Sequence, residues 1–281
     1  MARKSEFQYL RFVGLALGGG KTDRTCLAVM DYYPDQKKAF LSHVIEKIQS
    51  KDEQSADQIL FELLTQKLGN INTLVFNVPL TLPKCMRCRL TCPGYEKCKE
   101  PEISWLWKNY RKRNTKKRPG KLFTPYTERC AEFYVSTALE EEFHPPHALG
   151  ANHAPLVARA HFIRRRLKGA KALEVYPRLS LWRIGRSLSV QKSYLRHHKN
   201  SVEGAEIRRA IVERLSEKNV AFLYQQDMNT MARNAQAFDA FMCAFTGILK
   251  HLKQCEAKPA GYPKSEGWIE IPKVSIDWGF K

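Results

Sequence analysis

The sequence predicts an α/β protein with a mixed central sheet flanked by helices, and three observations carry that expectation. Leu74, Val75 and Phe76 form a short apolar run suited to a central strand covered on both faces. Just before it, residues 55–68 repeat Ile59, Leu60, Leu63, Leu64 and Leu68 at helical spacing, with Gly69 at the stop. Earlier still, the apolar segments 9–17 and 25–30 flank Gly18, Gly19 and Gly20 and read as a hairpin, with 38–45 as a third strand.

Asn77 falls where the apolar strand ends, and Val78-Pro79 forces an extended exit. The residue before proline avoids helix, and proline donates no ladder bond. Sites in α/β sheets form at the carboxyl ends of strands, so Asn77 lies at a predicted site edge. The glycine run continues into Lys21 and Thr22 and approximates a phosphate loop. Leu15 stands where that motif needs glycine, and a strand rather than a helix follows. A hairpin turn is the better reading.

Downstream, residues 128–143 read as a helix and 143–152 as a loop. Asn152 is a good N-cap, with Pro155 in the first turn of a helix reaching Leu167. His144, His147, His153 and His161 show no ligand rhythm and read as loop and surface residues. Residues 172–177 suit a short strand, 206–215 a helix and 228–252 a long final helix, with an edge strand within 266–272. Hairpin, third strand, helix and apolar strand is the opening order of a ribonuclease-H-like fold. It is equally compatible with the sugar-kinase and actin relatives of that fold.

Two carboxylates stand in apolar settings. Burying an unpaired carboxylate costs several kcal/mol, so Glu174 is expected to be paired, at an edge or on a metal. Asp239 lies on the stripe built by Ala235, Phe238, Met242, Phe245 and Leu249. It is either a site carboxylate or the partner of an arginine such as Arg183.

Eight cysteines in 281 residues, four of them clustered, suit a reducing cytosol better than a disulfide framework. Cys85, Cys88, Cys92 and Cys98 have the spacing C-x2-C-x3-C-x5-C. Such short loops let four sulfurs converge tetrahedrally on Zn²⁺ at ~2.3 Å, and four thiolates close the coordination sphere, which makes the metal structural. The tight spacing and Cys92-Pro93 also suit an iron–sulfur cluster, and incidental thiols are the remaining alternative. The expectation is one domain over 9–272, a Cys-rich and basic insert at 83–122, and tails at 1–8 and 273–281.

A net charge of +19 is the strongest global signal, and it is unevenly spread. Residues 108–121 carry eight basic side chains and no acid, 159–171 six more with none, and 175–202 again lack Asp and Glu. Repeated acid-free segments point to phosphate-backbone contact with DNA or RNA. Lys112, Arg113, Lys116, Lys117, Arg164 and Arg165 are the candidate contacts. Trp107, Tyr110, Phe123 and Tyr126 flank the first run and could stack on unpaired bases or edge the core. Residues 1–12 lack the apolar core of a signal peptide, and no run approaches the ~18 apolar residues of a membrane span. A cytoplasmic protein with no membrane partner is expected.

Four motifs then occur in order: Asn77-Val78-Pro79-Leu80 with Leu82-Pro83, Glu174-Val175-Tyr176-Pro177, Phe238-Asp239-Ala240, and the segment from Glu266-Gly267-Trp268 to Pro272. Together they resemble the domain of unknown function 429 family, regarded as predicted nucleases of ribonuclease-H-like fold, over roughly residues 11–272. Pro125-Tyr126-Thr127-Glu128-Arg129 with Glu132, and residues 150–159, look like a branch carrying the cysteine insert. The resemblance implies a metal-dependent nuclease using Mg²⁺ or Mn²⁺, with Glu174, Asp239, Asn77 and Glu132 as site residues. Two usual acid positions, at the ends of strands one and four, fall on Ala16 and Asn77. Either the site is rearranged, with Glu132, Glu128 or Asp23 joining it, or the chain is a catalytically inactive nucleic-acid-binding protein. A third reading is an ATP-using enzyme of the actin-like branch that keeps the Gly18 turn as a phosphate loop.

Overall fold

The apolar runs of the first fifty residues become the antiparallel half of a sheet. In the computed structural model, which describes residues 8–19, 24–113, 124–167, 169–199 and 203–280, they form β1 (Leu10–Ala16), β2 (Thr25–Tyr33) and β3 (Lys38–Ile48). α1 (Ala56–Glu62) and a π-helical turn over Leu63–Lys67 lead into β4 (Thr73–Phe76). α2 (Lys84–Arg87), α3 (Pro101–Arg113), α4 (Cys130–Ala138) and α5 (Ala154–Arg166) follow. Next come β5 (Lys171–Val175), α6 (Pro177–Ser187), α7 (Lys192–Leu195), α8 (Glu203–Glu217) and β6 (Ala221–Phe222). α9 (Gln225–Arg233), α10 (Ala235–His251) and β7 (Ile269–Glu270) complete the chain.

Among the described residues the strands lie in the order β6-β3-β2-β1-β4-β5-β7. β4 runs parallel to β1, β5 parallel to β4 and β6 parallel to β3, so the sheet is mixed, as the sequence predicts. The chain divides into two compact units. One comprises Met1–Asn77, Ala160–Glu256 and Glu270–Lys281, and the other Val78–Arg159 with Ala257–Ile269. The sheet core and α10 belong to the first, and the cysteine segment with α2, α3 and α4 to the second.

Local chemistry explains where the elements start. Ser55 accepts from Gln58 N–H while the Gln58 side chain accepts from Ser55 N–H, a reciprocal cap at α1. The helix expected over 228–252 is two helices. Asn234 takes an extended conformation, and its Oδ1 accepts from Gln236 and Ala237 N–H, so it ends α9 and caps α10. α5 begins at Ala154, two residues beyond the expected Asn152 cap, and α4 stops at Ala138, short of Phe143.

α10 is buried without interruption from Ala237 to Leu249, which is why its sequence is apolar around most of its circumference. Gly14 on β1 makes the close approach possible. A Cβ there would collide with the Ala240 carbonyl oxygen and come within 2.6 Å of Ala244 N, both backbone atoms of α10. Gly14→Ala is expected to lower stability by about 1–3 kcal/mol through overpacking. Urea unfolding checks this, and an unchanged midpoint would mean that α10 shifts freely on the sheet.

Candidate functional site

The register of β1, β4 and β5 decides which candidate residues share a face. Gly14 pairs with Val75 and Val75 with Leu173, while Phe76 pairs with Glu174. Val75, Leu173 and Val175 cluster with Cys243 of α10, so this is the α10 side of the sheet. Because side chains alternate along a strand, Ala16 projects with Gly14 and Val75 towards the α10 side, and Asn77 follows β4 directly. Glu174, between Leu173 and Val175, projects to the opposite face, where it is buried. Ala16 and Asp239 therefore lie on one side of the carboxyl edge with Asn77 at the edge itself, and Glu174 lies on the other side.

Asn77 is tied to the edge. Its backbone N–H donates to Leu15 O, and its Oδ1 accepts from Leu17 N–H at 2.9 Å. Gln236, in the first turn of α10, donates its side-chain amide to the carbonyls of Ala16 and Leu17. Asp239 is buried one turn further on, and Lys199 Nζ lies 3.5 Å from its Oδ2. Arg183, the arginine considered for that role, instead pairs with Glu256 at 2.8 Å. Burial pushes the Asp239 carboxyl up, with Lys199 and Arg208 opposing the shift. Arg208 donates to the carbonyls of His198, next to Lys199 in the chain, and Ala232.

Phosphodiester hydrolysis by two metals needs carboxylates holding both ions ~3.5–4 Å apart. Of these three residues only Asp239 has a carboxylate, and it faces an ammonium. Ala16 has no side-chain ligand atom, and Asn77 Oδ1, a neutral oxygen, already accepts from Leu17 N–H. Among the described residues placed here, Asp239 gives one carboxylate, where a pair of Mg²⁺ or Mn²⁺ ions needs several. Of the other acids considered, Asp23 lies outside the described residues, as do residues 20–22 of the glycine-rich turn.

Glu132 belongs to the second unit, where its carboxylate is already engaged. Arg129 Nε donates to Oε1 at 2.8 Å, Arg129 N–H donates to Oε2 at 3.0 Å, and His147 Nδ1 lies 3.2 Å from Oε2. Burial pushes the Glu132 carboxyl up, but Arg129 and His147 more than offset this and hold it below the usual range. His147, read from sequence as a loop histidine, is thus raised by its bond to Glu132. The arginine three residues before the acid, at a helix start, was the available signal for this pairing.

The same unit buries two carboxylates that sequence reasoning did not single out as an interacting pair. Ser265 Oγ donates to Glu102 Oε1 at 2.6 Å, and Glu102 Oε2 and both Glu266 oxygens have no hydrogen-bond partner among the described residues. Arg87 Nη2 lies 3.9 Å from Glu102 and 3.6 Å from Glu266. Burial pushes the Glu266 carboxyl up to about 7, with Glu102 and Glu132 adding to the rise and Arg129 and Arg87 opposing it.

Cys85, Cys88, Cys92 and Cys98 line one cavity of about 370 Å³. Burial pushes the Cys85 thiol up, and proximity to Cys98, Cys92 and Cys88 adds to this. The expected metal knot is not formed as drawn: among the described residues, no group of three or more His, Cys, Asp or Glu side chains is placed to hold a metal ion. The four thiols line the cavity without forming such a group.

Of the candidate phosphate contacts, Lys116 and Lys117 lie outside the described residues, as does the stacking candidate Phe123, and Lys112 and Arg113 end α3. Arg164 and Arg165 are exposed in the last turn of α5. Beside them Arg166 lies over the Phe61 ring at 4.0 Å and the exposed Phe162 ring at 5.2 Å. Tyr110 is buried against Trp107, whereas Tyr126 is exposed. No helix among the described residues is long and apolar enough to cross a membrane.

A family model described as protein of unknown function (DUF429) matches residues 135–262. The match supports the DUF429 family. The DUF429 stretch contains Glu174, Lys199, Arg208 and Asp239, and it omits Ala16, Asn77 and the clustered cysteines. No curated protein and no solved structure matches the chain.

Proposed function

We propose that this chain is a nucleic-acid-binding protein on a ribonuclease-H-like scaffold, in a DUF429 branch that carries a cysteine insert and has lost the two-metal hydrolytic site. The observation that carries the reading is the carboxyl edge itself. Ala16 lies on the same side as Asp239 with Asn77 at the edge between their elements, and the Lys199 ammonium stands at 3.5 Å from that carboxylate. A cation supplied by the protein balances the one remaining charge of the trio.

The scaffold assignment is supported by the inner strand order β3-β2-β1-β4-β5, with β2 alone antiparallel to both its neighbours and β4 and β5 parallel to β1. Nucleic-acid binding is supported by the net charge of +19 and by the exposed arginines ending α5 beside Phe162. Arg111, stacked over Trp107 at 4.6 Å, repeats the pairing of guanidinium with aromatic ring near the other basic run.

The test is fluorescence anisotropy with single- and double-stranded DNA and RNA oligonucleotides over a salt series, with Mg²⁺ or Mn²⁺ added and the products resolved by size. The wild type is expected to bind at low salt without cleaving. Neutralising Lys112, Arg113, Lys116 and Lys117 together is expected to weaken binding and flatten its salt dependence by nearly one logarithmic unit per lost phosphate contact. No binding at low salt would overturn the reading. Metal-dependent cleavage that Asp239→Asn abolishes would replace it with the nuclease reading.

A further inference from the structure

The segment that enters α3 is short of the apolar packing that would hold it in place. Its regular structure is the four-residue α2, and Met86 and Leu90 are exposed. Yet four cysteines drawn from fourteen residues all line a single cavity. The other four, Cys26, Cys130, Cys243 and Cys255, are buried at separate points in the chain. Such a segregation of thiols is not what packing needs alone would produce, because a buried free cysteine behaves as a small apolar residue.

We propose that Cys85, Cys88, Cys92 and Cys98 bind one Zn²⁺ as a tetrathiolate, and that the cavity closes around the ion. The thiols as they stand are not placed to hold an ion, although Cys85 is near the other three, so binding must draw them together. Cys88 leaves α2 in an extended conformation, and Gly94 at φ +86° provides a turn between Cys92 and Cys98. Each thiol that ligates gives its proton to solvent, so a zinc tetrathiolate carries two negative charges. Lys97 and Lys99 line the same cavity and supply two positive ones, while Lys84 is matched by Glu100 at 2.5 Å. Charge and ligand set agree.

The site has a consequence for the rest of its unit. Lys84 and Arg87 lie on α2 between and beside the first two cysteines, and they reach Glu100, Glu102 and Glu266. Fixing Cys85 and Cys88 on a metal therefore seats Arg87 beside two buried carboxylates. The zinc is a clasp that holds a cation in place, and its loss should loosen the second unit.

The test uses the full chain, purified under reducing conditions from zinc-supplemented medium. Elemental analysis is expected to find about one zinc per chain. Chelation with a colorimetric acceptor should release it and expose four further reactive thiols. Replacement by Co²⁺ should give the ligand-field bands of a tetrahedral tetrathiolate. The variant Cys85→Ser with Cys88→Ser should lose both the zinc and thermal stability; if it does not fold, the wild-type metal and thiol counts decide alone. Substoichiometric zinc, two disulfides in the non-reduced mass, or iron with acid-labile sulfide would each overturn the proposal. None of these readouts depends on nucleic-acid binding.

Discussion

Arg129→Met is expected to destabilise the protein by about 3–5 kcal/mol, the range found when one member of a buried ion pair is removed. Arg129 is among the largest fully buried side chains, and its guanidinium bonds Glu132 at 2.8 Å and Thr81 Oγ1 at 2.9 Å. Methionine fills much of the same space but leaves a buried carboxylate that keeps, among the described residues, a backbone N–H and His147 for support. The sign of the pH dependence follows. Glu132 titrates below its usual value in the folded chain, so its stabilisation is present above the unfolded carboxyl pKa and is lost as pH falls through the folded one. The variant should therefore lose less stability on acidification than the wild type. Arg129→Met combined with Glu132→Gln should recover part of the loss, since no charge is then left buried. Urea unfolding of the three proteins measures all of this. A single variant within about 1 kcal/mol of wild type would show that the pair is dispensable.

The parts of the fold that sequence conveyed were those governed by local periodicity. The apolar runs of β1, β2 and β4 and the stripe of α10 all lie where period and composition put them. The break at Asn234 was missed because the apolar period continues across it. What ends the helix is one side chain bonding two N–H groups ahead of it. The site was legible by residue type and not by geometry. Glu174 and Asp239 were both recognisable as acids in apolar surroundings, yet a strand's alternation says that one residue opposes its neighbours without saying which face meets a helix. That information lies in the contact of Leu173 and Val175 with Cys243, distant in sequence. Lys199 could not be singled out within an acid-free run, because what distinguishes it is the position of Asp239, forty residues later. The Glu102 and Glu266 pair was hidden for the same reason: the two are separated by most of the chain.

Glu266→Gln is expected to stabilise the protein at alkaline pH by about 3 kcal/mol while changing little near pH 4.5. The folded chain raises this carboxyl from 4.5 to about 7, chiefly by burial. Between those values the unfolded chain has released the proton and the folded chain still holds it. Folding stability therefore declines as pH rises from about 4.5 through about 7, and the deficit persists above that. Glutamine has no proton to lose, so the variant should show a flatter profile across this window. The opposing effect is attraction to Arg87, 3.6 Å away, and to Arg129. Arg87 is one-third exposed and makes no hydrogen bond to Glu266, so solvent screening weakens its share, whereas the desolvation of a fully enclosed carboxylate is not screened. Burial should win. Denaturant titrations of wild type and variant at about pH 5 and about pH 8 settle the sign. A Gln variant that is less stable than wild type at the higher pH would mean that the two arginines hold Glu266 charged, and that the rise to about 7 is not its state in solution.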